Sequence, residues 1–431
     1  MKILNFLAAN LFILWWCFAP IAIDGQKIIS GPIQGHTTDT SATFWVLLKN
    51  ASSFNLSLKG TPDNGTNFTI NEDSLLGALY KNKRAFKYTL YQPLGEEKVN
   101  QYSIVLNKKD TIKQVVVLSS STDSTFMFGS CAYIGKGFSR VYRPWNMTKI
   151  FKTMSKEQTK NMLWMGDNVY LILEHDLKNN KRIYRRYIGV RKQKNMNRLL
   201  SSKMQHYSTW DDHDFGPNNT DGSYEKANLT TNAFNSFWVN PKNNSKGIYY
   251  SFCKGKTTFF MTDGRTFKNN DGSALLGYQQ MDWLKRALLN SSSTYKIIVL
   301  GNQLINAIDG HESYYDCPEE RQEIMRFIND NEIPGVLFFS GDRHHSEINV
   351  EHHLNYYPIH DITCSALSSP RPKFRGWGKE RALSTRVDNS FITKHNYCVV
   401  TVNSDCLVFK FKNKSGRHLF NYTVTQKELG Y

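Results

Sequence analysis

The stretches WMGDNVY (164–170) and FFSGDRHHSEI (338–348) decide how this chain folds. Each begins as an apolar strand, ends in Gly-Asp, and then delivers further side chains able to bind metal. In an α/β sheet, ligands bind in the crevice beyond the carboxyl ends of the strands. Two such strand ends bring carboxylate, phenolate and imidazole groups to one point, as a site for two metal ions requires.

Working outward, the same grammar recurs. FMFGSC (126–131), HYSTWDDHD (206–214), TTFFMTDGR (257–265) and KIIVLGNQ (296–303) are also apolar strands that end in polar, ligand-bearing residues. Helical patterns at 183–202, 278–289 and 318–331 separate them. Strand–helix alternation predicts an α/β unit with a buried central sheet. The segment 397–424 returns to strands around a turn at 413–416, and we expect these to extend or flank the sheet.

Upstream, residues 27 to about 122 read as all-β. SATFWVLL (41–48), FNLSLKG (54–60), TNFTI (66–70), FKYTLYQPL (86–94), QYSIVL (101–106) and KQVVVL (113–118) are short strands between turn residues. That pattern predicts an immunoglobulin- or fibronectin-like β-sandwich. The run 119–122 is the linker candidate. At the amino terminus, Lys2 precedes an apolar stretch, 4–23, interrupted by Asn5, Asn10 and Pro20. This reads as a secretory signal cleaved between Ala22 and Gln26. The interruptions leave too short a run for a span of about 20 residues. The expected organisation is a signal peptide (1–25), an N-terminal β-sandwich domain (26–122) and a catalytic domain (123–431). The expected location is secreted or periplasmic, with the cell surface left open.

The formal net charge of +17 attracts anionic substrates or surfaces, unless it reflects a Lys- and Asn-rich proteome. No basic run alternates with aromatics as nucleic-acid readout would need. Seven cysteines show no CxxC pair, so neither a zinc knuckle nor a disulfide pattern follows. HExxH is absent, which sets a zinc metalloprotease aside. Asn-x-Ser/Thr sequons at Asn55, Asn64, Asn67, Asn146 and Asn228 matter only in a eukaryotic secretory pathway.

The strand ends sort by chemistry. Cys131, Tyr170 and His344 offer thiolate, phenolate and imidazole, which suit a transition metal. Asp212, Asn302 and Asp342 offer the oxygens that suit a hard cation. Asp167 is the candidate bridge. Taken singly, each has a bland reading: a small buried thiol, a core tyrosine, a helix cap, a turn asparagine. The ordered set, one group at each strand end, argues for a metal site.

With these motifs in order, the chain resembles the PhoD-like alkaline phosphatases of the calcineurin-like metallophosphoesterase superfamily, from about Lys27 onward. GPIQGHTTDTSATFWV (31–46) resembles the opening of that family's N-terminal β-domain, and FMFGSC, GDNVY, WDDHDFGPNN, LGYQQMDWL, GNQ and SGDRHH resemble its phosphatase motifs. The resemblance implies a metallophosphoesterase-type α/β sandwich for the catalytic domain. It implies a ferric ion (Fe3+) on Cys131, Asp167, Tyr170 and His344, and a second metal, Ca2+ in the family, on Asp167, Asp212, Asn302 and Asp342. It implies that His213 contacts the phosphoryl group and protonates the leaving oxygen, and that Arg265 clamps phosphate. His345 and His395 are further candidates for the pocket wall. Choosing Asp212 over Asp211 rests on its spacing to His213.

The function expected is secreted hydrolysis of phosphate esters by a two-metal site and a metal-bound hydroxide. Two alternatives stay open. One is a phosphodiesterase acting on phospholipid, nucleotide or wall-polymer diesters. The other is an inactive surface-binding module, which a broken metal set would signal. The partner expected is a phosphate-ester substrate, with an anionic lipid or polymer left open.

Overall fold

The computed structural model describes residues 27–50, 55–59, 76–80, 82–91, 100–106, 110–116, 124–135, 147–172, 177–308, 312–353, 356–370 and 383–431. The expected leader, the TNFTI run and the linker at 119–122 lie outside them.

Among the described residues, two mixed sheets form the body, one of ten strands and one of six. The first centres on a parallel trio, β8 (Thr125–Gly129), β9 (Asn161–Met165) and β10 (Gln205–Thr209). Beyond β8 it continues antiparallel through β17 (Asn396–Val402), β18 (Cys406–Asn413) and β19 (His418–Thr425), so the C-terminal strands extend the sheet as expected. Beyond β10 it continues through β1 (Lys27–Thr37), β2 (Ser41–Lys49), β5 (Lys83–Tyr91) and β4 (Leu76–Tyr80). The second sheet runs β11 (Tyr250–Lys254), β12 (Thr257–Met261), β13 (Tyr295–Val299), β14 (Val336–Ser340), β16 (Tyr356–Thr363) and β15 (Glu347–His353), with β12, β13, β14 and β16 parallel.

Both sheets are covered on both faces, which is why their central strands are unbroken apolar runs. Alternate residues take alternate sides. In β14, Leu337 and Phe339 enter the layer between the sheets, while Val336 and Phe338 face the outer helices. Ring pairs close the inner layer: Phe128 stacks on Phe339 at 4.4 Å and Phe126 meets Phe259 edge-on at 5.0 Å. Outside the ten-stranded sheet lie α1 (Lys149–Met154), α2 (Asn180–Lys192), α3 (Lys194–Leu200), α4 (Asp212–Phe215) and α5 (Ala227–Phe237). Outside the six-stranded sheet lie α6 (Gly277–Leu289) and α7 (Pro318–Asp330).

Two differences from expectation have physical reasons. The single helix read at 183–202 is two, because Gln193 is extended (φ −62°, ψ 125°) and its side chain caps α3 at Asn195 N and Met196 N, both at 2.8 Å. The N-terminal strands form two sheets, β1-β2-β5-β4 and β3 (Asn55–Lys59)–β6 (Asn100–Leu106)–β7 (Asp110–Val116). That is the strand order of an immunoglobulin constant domain. The first sheet, however, is continuous with the catalytic one, since β1 pairs parallel with β10 at Gln34 and Gln205. Trp45 of β2 fastens it, donating to Ser236 O at 3.0 Å and packing on Phe237.

Candidate active site

The carboxyl ends of β8, β9 and β10 meet those of β13 and β14 at one edge of the sandwich. Their close approach explains the glycines. A Cβ at Gly166, where φ is +90°, would lie 2.6 Å from Asp211 Cβ; one at Gly341 would lie 2.8 Å from Met165 O. Each Gly-Asp therefore lets two turns touch while aiming a carboxylate into the gap.

Two groups of ligand atoms cluster there, each within 4.8 Å: Cys131, Asp167 and His344, and Asp167, Asp212 and His213. Asp167 is the shared corner. The Cys131 thiol lies 3.6 Å from Asp167 Oδ2 and donates to the Asp342 carbonyl at 3.4 Å. The Tyr170 hydroxyl stands 3.4 Å from His344 Nε2 and is hydrogen-bonded to Ser369 Oγ. The Tyr170 ring packs at 4.5 Å from that of His213. Asn302 contributes a buried Oδ1 with no hydrogen-bond partner. The Asp342 carboxyl stands outside both groups but feels the charges of Asp211 and Asp212. Cys131, Asp167, Asp212 and Asn302 are buried, whereas His213, Asp342 and His344 are partly exposed and mark the mouth.

The electrostatics call for a cation. Burial, then Asp212 and the other neighbouring carboxylates, raises Asp167 well above the carboxylate range. Burial and the Asp211 charge push Asp342 up to about 7. Burial, then Asp167 and Asp342, raises Cys131. Burial also pushes Asp212 upward, but Arg265, His213 and the Asn219 N–H outweigh it, and this carboxyl falls below its usual value. Burial lowers His344 to about 4 and lowers His213. Crowded buried acids and an orphaned amide oxygen form a donor set that suits cations. The donors present fit two cations.

Asp211 and Asp212 have different tasks. Asp211 is held by Arg265, whose Nε donates to Oδ1 at 2.7 Å. Arg265 also reaches Thr220 O at 3.2 Å and Glu312 at 3.1 and 2.9 Å, and Nη2 pairs with Asp211. All five of its N–H groups are thus taken, and its side chain is fully buried. These contacts tie Arg265 to the WDDHD turn through Asp211. Asp212 alone of the two joins a ligand group. His345 turns away, with Nε2 3.2 Å from Glu347 Oε1, and neither it nor His395 joins a ligand group among the described residues.

The sequence reading missed the supports. Asp214 accepts from the backbone N–H of Asn168, Val169 and Asp211, tying two strand-end turns together. Ser369 holds the Tyr170 phenol, and Ser365 Oγ accepts from His344 N at 3.1 Å. Glu347 bridges the next two turns through Gln303 (2.7 Å) and His345. Asp214 was visible inside WDDHD; the serines and Glu347 lie on segments with no motif.

The fold is thus a mixed α/β sandwich with candidate metal-ligand groups at its strand ends. The family model of the PhoD-like phosphatases matches residues 126–405, and the chain belongs to that family. Neither a curated protein nor a solved structure matches the chain. Membership makes it a phosphoric ester hydrolase.

Proposed function

We propose that the protein is a secreted phosphatase whose site holds two metal ions and hydrolyses phosphate monoesters, with diesters as the alternative substrate class. The observation that carries this reading is Asp167 at the shared corner of both ligand groups. Cys131, Asp167, Tyr170 and His344 would hold a ferric ion; Asp167, Asp212, Asn302 and Asp342 would hold the second, calcium. Bound there, the cations supply the positive charge that phosphoryl transfer needs as charge develops on oxygen.

The chain's own residues do the rest. His213 sits at the mouth, where burial lowers its pKa and the neighbouring Asp212 carboxylate acts the other way. Acting as imidazolium, it would pass a proton to the leaving oxygen and be left as the neutral ring. Ser369 fixes the Tyr170 phenol, and Arg265 with Asp211 fixes the turn that carries Asp212 and His213. Leader (1–25), β-sandwich (26–122) and catalytic domain (123–431) remain our division of the chain, supported by the strand order and by contact of β1 with β7.

The test is turnover of a small monoester and a small diester by protein purified with its native metals, with elemental analysis alongside. Turnover with two ions per chain, and a visible phenolate- or thiolate-to-iron absorption, is expected. A fully active, colourless, iron-free protein would overturn the ferric assignment. Absence of turnover with both ions bound would overturn the general phosphatase reading in favour of a restricted diester substrate or a surface-binding role.

A further inference from the structure

The three helices α1, α2 and α3 bury their inner faces in one core and expose almost a single kind of side chain. The exposed positions are Lys149 and Lys152 on α1, Lys181, Arg185, Gly189 and Lys192 on α2, and Lys194 and Arg198 on α3. Only Gly189 is not a cation. None of the three helices contains an aspartate or glutamate. Because α1 packs on α3 and α3 on α2, these cations share one outer face.

A generally basic composition does not explain this. The opposite helical layer, in the same chain, interleaves its signs: Asp282 pairs with Arg286 at 2.8 Å, Lys285 pairs with Glu323, and Glu319 and Asp330 are exposed. On the basic face, Lys149 and Lys152, and Lys194 and Arg198, stand three or four residues apart. Like charges at that spacing weaken a helix. A partner of opposite charge would offset that cost.

We propose that this face docks the protein onto an anionic phospholipid bilayer. The cations are spread over the backs of three adjacent helices, spaced about 8–10 Å apart, rather than lining one groove. The large apolar side chains exposed among the described residues are Tyr278, Leu289, Tyr315 and Tyr431, none of them on this face. Base stacking, which single-stranded nucleic acid would need, has no platform here, and nothing is available to insert between lipids. Binding is therefore at headgroup level, reversible and screened by salt. The same helix α2 braces the site, since Arg186 donates to Tyr170 O at 3.2 and 2.9 Å. Docking would hold the site close to the surface. The inference is independent of the phosphatase reading.

The test is cosedimentation of the secreted form, without residues 1–25, with vesicles of phosphatidylcholine alone or mixed with phosphatidylglycerol, at low and high salt. Association with the anionic vesicles only, lost at high salt, is expected. Each cation near such a surface is worth about a fivefold change in partitioning, so K149Q/K152Q/R198Q should lower it about a hundredfold. Every variant lacks the proposed leader, 1–25, so no apolar leader contributes and the difference reports the face. Neutralising the opposite layer with K285Q/R286Q/R326Q should change nothing, and unchanged melting temperatures show that the folds are intact. Equal binding to neutral vesicles, or no effect of K149Q/K152Q/R198Q, overturns the proposal. Binding of soluble polyphosphate without binding of anionic vesicles also overturns it, and assigns the face to a polymer.

Discussion

Four of the candidate ligands, Cys131, Asp167, Asp342 and His344, have φ between 55° and 63°, a region costly for residues other than glycine. Each sits just past a strand end, where the chain must turn sharply to aim a side chain into the gap. Substitutions that keep the shape but change the chemistry should therefore be informative. Asp167→Asn retains volume but removes the shared charge; we expect loss of bound metal and at least about a hundredfold loss of activity. Wild-type metal content by elemental analysis would remove Asp167 from the bridge. His213→Gln should lower kcat by about a hundredfold or more on an alkyl phosphate. On a nitrophenyl phosphate, whose leaving oxygen needs no proton, the loss should be much smaller. Equal losses on both esters would show that His213 does not act on the leaving group.

At the scale of elements, the strand-end glycines and the helices respond oppositely to the same change. Gly166 has φ +90° and no room beside Asp211. We expect Gly166→Ala to cost about 2–4 kcal/mol, from the left-handed backbone and overpacking together. Gly189 lies inside α2 with nothing within 4 Å of a built Cβ. Gly189→Ala should stabilise by about 0.5–1 kcal/mol, since alanine is the better helix former. Urea unfolding of the two variants checks both signs. Periodicity located β8, β9, β10, β12, β13 and β14, though the ligand-bearing tails of several lie beyond the strands, and placed both helices over the six-stranded sheet to within a residue or two. It did not show β1, β4, β11, β15 or β16, nor the break at Gln193, because a glutamine that caps from an extended backbone looks like any helical residue.

Across the whole molecule, the burial that builds the layers also sets the pH response. His206 lies beneath α3, accepts from Trp164 Nε1 at 3.1 Å and is lowered to about 3, chiefly by burial. Its folded pKa lies below the unfolded value of 6.5, so the unfolded chain binds the proton more tightly. The stability this ring contributes is complete above pH 6.5 and is lost as pH falls toward about 3, at up to about 1.4 kcal/mol per pH unit. Asp214, raised to about 7 by burial, acts in the opposite sense, gaining stability as pH falls. Comparing His206→Gln with the wild type at about pH 7 and about pH 5 isolates the histidine. The variant should lose less stability on acidification; an unchanged difference would mean that His206 does not titrate on unfolding.

The sequence alone determined the alternation of strand and helix, the family motifs and the identity of the strand-end groups, because each is written in residues close together along the chain. Only the tertiary structure decided which groups meet. It placed Asp167 at the shared corner, separated Asp212 from Asp211, closed Arg265 on protein acceptors and turned His345 toward Glu347. It also joined the N-terminal strands to the catalytic sheet through β1 and β10, and gathered the cations of α1, α2 and α3 onto one face. Those outcomes depend on contacts between residues far apart in the chain, where burial and charge, rather than local pattern, select the partner.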